Sequence, residues 1–212
     1  MRKLLQVIVI TLFSNLPSLA LAQSLDDIVR AVDSGQREAV ARLLDRGVDV
    51  NSTSSTGYSL LMIASRMGHR DVVELLLSRK ANVRQRTPHG DTALMMASML
   101  GDLEIMKRLV AAGAELNHPG WASLHYAAFE GKAAAVQFLL ENGADKDAVA
   151  PNGFTALMLA ARNGKTEAAK ALLYADPDVN FRTDKGETAL AIAKARNMTE
   201  VVELIRRAGG VE

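Results

Sequence analysis

The residues of this chain that could carry chemistry are few: four histidines, three close pairs of aspartates and one basic stretch. His89 and His118 stand near two recurring glycines, from which two imidazoles could meet a cation, but two ligands without a third make a poor metal site. Asp26 with Asp27, Asp145 with Asp147 and Asp176 with Asp178 have the pairing that general acid–base work uses. Nothing around them promises the burial that would drive two carboxylate pKa values apart. Arg66, His69, Arg70, Arg79, Lys80, Arg84, Arg86 and His89 make the basic stretch, and no acid follows Arg84 until Asp91. That segment reads either as a positive tip drawing an acidic partner or as a solvated loop. There is no glycine-rich phosphate loop, no His-Glu-x-x-His helix and no Gly-x-Ser-x-Gly elbow. Zero cysteine excludes disulfides, thiolate metal sites and a thiol nucleophile. The expectation is a non-enzyme with no catalytic residues, no cofactor and no resident metal.

The elements that must position these residues repeat. A phrase begins at Gly57, Gly90, Gly120, Gly153 and Gly186, at intervals of 33, 30, 33 and 33 residues. It reads Ser59-Leu60-Leu61-Met62, Thr92-Ala93-Leu94-Met95, Ala122-Ser123-Leu124-His125, Thr155-Ala156-Leu157-Met158 and Thr188-Ala189-Leu190-Ala191. Thr92, Thr155 and Thr188 are expected N-caps of a short first helix. Gly68, Gly101, Gly131 and Gly164 then mark a turn, where a left-handed backbone costs glycine little. A second apolar phrase follows each turn with three-and-four spacing, as in Val72-Val73 with Leu75-Leu76-Leu77, which predicts a second helix with one buried face. Gly47-Val48-Asp49-Val50-Asn51, Gly113-Ala114-Glu115-Leu116-Asn117 and Gly143-Ala144-Asp145-Lys146-Asp147 then leave the helix for an extended finger.

With these phrases the sequence resembles the ankyrin-repeat family, whose unit is a finger and an antiparallel helix pair marked by Thr-Pro-Leu-His and Gly-Ala-Asp-Val-Asn. The resemblance covers residues 24–212. It implies an all-α solenoid of stacked helix-turn-helix units, with an N-terminal cap at 24–56, units at 57–89, 90–119, 120–152 and 153–185, and a C-terminal cap at 186–212. It also implies that His125 hydrogen-bonds between repeats and that His69 stands at a habitual helix start. The departures are specific. Leu60, Ala93, Ser123, Ala156 and Ala189 replace the proline, so helix starts should be less rigid. Lys80 and Asp176 replace the glycine after the second helix, where strain is expected. Only His118 and Pro119 separate Asn117 from Gly120, so the finger there is clipped.

Residues 1–22 read differently. Arg2 and Lys3 precede the apolar run Leu4 to Leu16, and Ala20-Leu21-Ala22 supplies small residues two apart. This predicts a secretory signal cleaved before Gln23, leaving an exported domain at 23–212, periplasmic or secreted. The apolar run is shorter than the ~20 residues a spanning helix needs, so no membrane insertion is expected after cleavage. The chain has 25 basic against 24 acidic residues. Loss of Arg2 and Lys3 would turn an excess of one into a deficit of one, which argues against a nucleic-acid partner.

The remaining expectation is a protein partner met by a monomer. In stacked repeats, fingers and first helices line a continuous concave strip. The position after each glycine reads Tyr58, Asp91, Trp121, Phe154 and Glu187, three aromatics in five in a chain with 4% aromatic residues. Near each first-helix end come Met67, Met99, Leu100 and Phe129. The candidate binding strip is therefore Tyr58, Met67, Met99, Leu100, Trp121, Phe129 and Phe154, flanked by Arg84 and Arg86, with the clipped finger opening access to Trp121. The same aromatics could instead pack on neighbouring fingers, and the sequence does not separate the two. The expected role is an adaptor, inhibitor or accessory subunit in the periplasm. An effector released onto host proteins, or a metal-dependent stress protein using His89 and His118, are the alternatives.

Overall fold

A computed structural model describes the backbone from residue 16 and the side chains from Gln23 to Glu212. Over residues 1–15 the expected export signal lies outside the described residues. Among those described, the chain forms six helix pairs. These are α1 (Leu16–Asp33) with α2 (Arg37–Asp45), α3 (Leu60–Met67) with α4 (Arg70–Ser78), and α5 (Ala93–Leu100) with α6 (Leu103–Ala111). The rest are α7 (Ser123–Glu130) with α8 (Ala133–Glu141), α9 (Ala156–Arg162) with α10 (Thr166–Tyr174), and α11 (Ala189–Ala195) with α12 (Thr199–Arg207). The architecture is the all-α solenoid that the repeats predict. Among the described residues no helix is long and apolar enough to cross a membrane.

Most first helices start on a side chain. Ser59, Thr92, Thr155 and Thr188 lie in extended backbone and accept the N–H groups of Met62, Met95, Met158 and Ala191. Each satisfies a donor that the first turn would otherwise leave unpaired. Three are the predicted threonine caps, and Ser59 does the same work. Helix α7 starts on Ala122, which has no hydroxyl, and there Nδ1 of His125 accepts the Ala122 N–H at 3.0 Å.

The first helices pack along one row, α3 on α5, α5 on α7, α7 on α9 and α9 on α11, while the second helices form a parallel row behind them. Residues Leu60–Ser65, Ala93–Ser98 and Ala156–Ala161 are buried throughout, because each first helix lies between its neighbours and its own partner helix. A second helix buries only one stripe, such as Val72, Val73, Leu75 and Leu76. One apolar cluster runs from Ile28 to Ile205, so no unit has a core of its own.

Turns at the end of the second helices explain the strain expected at Lys80 and Asp176. Both adopt a left-handed backbone, with φ of 61° and 53°. Lys146 steadies the second of these, its Nζ donating to the carbonyls of Ala175, at 3.1 Å, and Asp176. Asn197 adopts φ 58° in the place where the other units keep Gly68, Gly101, Gly131 and Gly164.

Candidate functional site

The fingers are joined by one rung per unit. Oδ1 of Asn51, Asn117, Asp147 and Asn180 accepts the N–H of Asn82, Asp145, Asp178 and Val211 at 2.7–2.8 Å. Arg84 occupies the corresponding position in the remaining finger and has no oxygen to offer. Its Nε instead donates to the Gly113 carbonyl at 3.0 Å, the contact that the Asn117 and Asn180 amides make to Gly143 and Gly209. Glu115 of the next finger then pairs with Arg86 at 2.5 Å and lies 3.9 Å from Arg84. The absence of acid along the finger's own sequence is thus offset by a carboxylate from the following unit.

The aspartate pairs shape the same fingers. Oδ1 of Asp145 accepts the Asp147 N–H and Oδ1 of Asp178 accepts that of Asn180, both at 3.0 Å, which are local turns of the kind aspartate favours. Asp27 pairs with Arg30 at 2.6 Å. Among the described residues no three His, Asp or Glu side chains converge where a metal ion could be held, so His89 and His118 gain no third ligand. His125 is fully buried; because Nδ1 accepts from Ala122, Nε2 carries the proton and donates to the Ala148 carbonyl of the next finger at 2.9 Å. Nε2 of His69 lies 2.9 Å from the Asp33 carbonyl of the preceding unit. The inter-repeat role that the resemblance implies for His125 is what the geometry displays.

The aromatic strip divides in two. Residues just after each glycine and eight further on are neighbours across the inner surface. Arg66 lies over the Tyr58 ring with its guanidinium carbon 5.3 Å from the centroid, and Arg162 lies over Phe154 at 5.8 Å. Tyr58 and Phe154 are half-buried and pack against the core. In the two units between, the residues in the place of these arginines are Met99 and Phe129. Together with Trp121, Tyr126 and Glu130 they line a shallow, mostly apolar cleft of about 170 Å³. Phe129 is 41% exposed there; Leu100 and Met67, which do not line the cleft, are exposed to 39% and 44%. Leu100 lies over the turn at Gly68, where an added Cβ would come within 3.1 Å of its Cδ2. Larger hollows of about 510 Å³ are rimmed by polar chains, Arg30, Arg42 and Arg46 at one end and Glu167, Lys170 and Glu203 at the other.

The clipped finger stands just before Trp121. In four units a finger N–H closes onto the carbonyl of the residue after the glycine: Ser54 to Tyr58, Thr87 to Asp91, Ala150 to Phe154 and Thr183 to Glu187, at 2.8–3.0 Å. Among the described residues no such bond reaches the Trp121 carbonyl. The Trp121 ring instead meets His125 edge-on, with centroids 5.8 Å apart, and leans on Tyr126 at 5.6 Å.

Tyr126 was not among the sequence candidates. Its counterparts in the other units are Ile63, Met96, Leu159 and Ile192, all buried. Its hydroxyl donates to Oδ1 of Asp91 at 2.9 Å, and Oδ2 of Asp91 accepts from Thr87 at 3.2 Å. Burial, and then the Asp91 carboxylate, push the phenol well above its ordinary range, so it stays a donor and fixes the cleft wall. The available signal was a tyrosine in an otherwise aliphatic column.

A family model described as ankyrin repeats in three copies matches residues 28–120 and 124–211. Among solved structures, the chain is similar to an ankyrin repeat domain from Acinetobacter baumannii AYE, with 25% identity and a TM-score of 0.75, over 87% of this chain and 98% of that one. It is also similar to the ankyrin repeat domain of human ASB11, with 26% identity and a TM-score of 0.81, over 87% of this chain and 84% of that one. No curated protein sequence matches the chain.

Proposed function

The chain belongs to the ankyrin repeat family, whose modules serve protein–protein interaction, and from that premise we propose that it is an exported adaptor, inhibitor or accessory subunit that seats a segment of another protein on its concave face. The observation that carries this reading is the cleft of Met99, Trp121 and Phe129, where large apolar side chains gather at the surface. Such side chains supply most of the energy at protein interfaces, because they bury large area at small entropic cost. The rigid stack behind them is already ordered, so little conformational entropy is lost on binding. Export is supported by the charged start, apolar run and small-residue motif of residues 1–22.

A photo-crosslinking residue placed in cells at Met99, against a control at Lys107 on the outer face of α6, tests the reading. Position 99 should capture a partner that position 107 does not. Changing Trp121 and Phe129 together to alanine should weaken that capture tenfold or more, on the order expected for losing two aromatic anchors. Capture only at position 107, or capture at 99 indifferent to the double change, would contradict it.

A further inference from the structure

Resting on the concave-face reading above, we propose that the occupant is an extended protein segment with one large apolar residue at its centre and carboxylates on both sides of it. One column of the stack carries the argument. The residue eight after Tyr58 is Arg66, and the same place in the next three units holds Met99, Phe129 and Arg162. Read across the units, this column is cation, apolar, apolar, cation.

The two outer cations are held ready for a ligand. Arg66 rests on the face of Tyr58 and Arg162 on that of Phe154, which fixes each guanidinium plane while leaving its N–H edges free. Among the described residues neither has a carboxylate within ion-pair distance, whereas Arg70, Arg79 and Arg86 are paired with Asp102, Asp45 and Glu115. A guanidinium so oriented can receive a carboxylate bidentately. The centre has the opposite preference. The cleft is apolar but bordered by Glu130, and its wall residue Tyr126 is bonded to the Asp91 carboxylate, so a ligand carboxylate there would be repelled. The site thus selects acid at its ends and against acid in its middle, a pattern that a uniformly acidic segment does not satisfy.

Spacing sets the register. Helices packed side by side lie about 9–10 Å apart, so Arg66 and Arg162, three units apart, are separated by roughly 30 Å. An extended chain covers that in about nine residues, which puts a carboxylate about three to five residues to each side of the apolar anchor.

A random 12-residue peptide library displayed on phage and selected against the purified protein tests this. Enriched sequences should carry Phe, Leu, Met or Trp centrally with Asp or Glu on both sides. Arg66→Gln and Arg162→Gln, which remove the charge and keep a polar side chain, should each weaken those peptides up to about fivefold, the range of an exposed ion pair, with less loss at high salt. Enrichment of neutral or basic apolar peptides that Trp121→Ala still abolishes would overturn this inference and leave the concave face standing as the binding surface. Selected peptides indifferent to Trp121→Ala, or no enrichment at all, would overturn the inference too, and the first of these would also remove the concave reading. Helicity by circular dichroism checks that each variant folds.

Discussion

His125 joins two units with one ring, capping α7 through Nδ1 and holding the next finger through Nε2–H, and it does so while fully buried. Burial pushes its pKa below the ordinary 6.5, so it is bound as the neutral form. The unfolded chain takes up a proton more readily than the folded one. The stability this ring contributes is therefore present above about 6.5 and is lost as pH falls through that value towards the lowered folded pKa. Burial and the neighbouring Arg86 shift His118 in the same direction. His125→Ala should cost about 2–3 kcal/mol in urea denaturation at neutral pH, because it leaves a cavity and two unpaired backbone groups. It should also flatten, without abolishing, the fall in stability between pH 7 and 5.5; an unchanged slope would show that the ring is not the group titrating. His125 was legible in the sequence because it sits at a fixed place in a recurring phrase. Tyr126 was not, since its partner Asp91 belongs to the preceding unit and only the stacked geometry brings the two together.

The helices were legible because their apolar periodicity and their caps agree, as Thr92 and Thr155 illustrate. The turns were legible where a residue type betrayed them: Lys80 was expected to be strained and has φ 61°. Its side chain is exposed and has no hydrogen bond or ion pair among the described residues, so nothing offsets a conformation that costs a residue with a Cβ about 1 kcal/mol. Lys80→Gly should therefore raise stability by about 0.5–1 kcal/mol in thermal or chemical denaturation, even though glycine usually destabilises. A loss would mean that this turn is not strained. What the elements concealed was charge across units. The basic finger of Arg84 and Arg86 reads as unopposed along the chain, yet Glu115 comes to it from one unit further on, and Arg84 serves as a rung of the finger ladder.

The whole molecule is a stack in which every core residue depends on a neighbouring unit, so position in the repeat, rather than position in the chain, decides what a side chain faces. That made the overall fold legible from five phrases in register. It made the candidate surface legible only in part. Of the expected strip, Met99, Trp121 and Phe129 line one cleft, while Tyr58 and Phe154 are half-buried platforms under arginines. All three aromatics are half-buried, and the difference lies in what stands eight residues further on: Phe129 lines the cleft with Trp121, whereas Arg66 and Arg162 lie over Tyr58 and Phe154, a pairing that only the stacked geometry brings about. Radical footprinting of the protein with its captured partner tests the central claim most directly, because the relevant side chains are oxidisable and Tyr174, 95% exposed at the end of an outer helix, is a built-in control. Partner binding should suppress oxidation at Met99, Trp121 and Phe129 and leave Tyr174 unchanged. Protection of Tyr174 with the cleft still fully reactive would contradict the account.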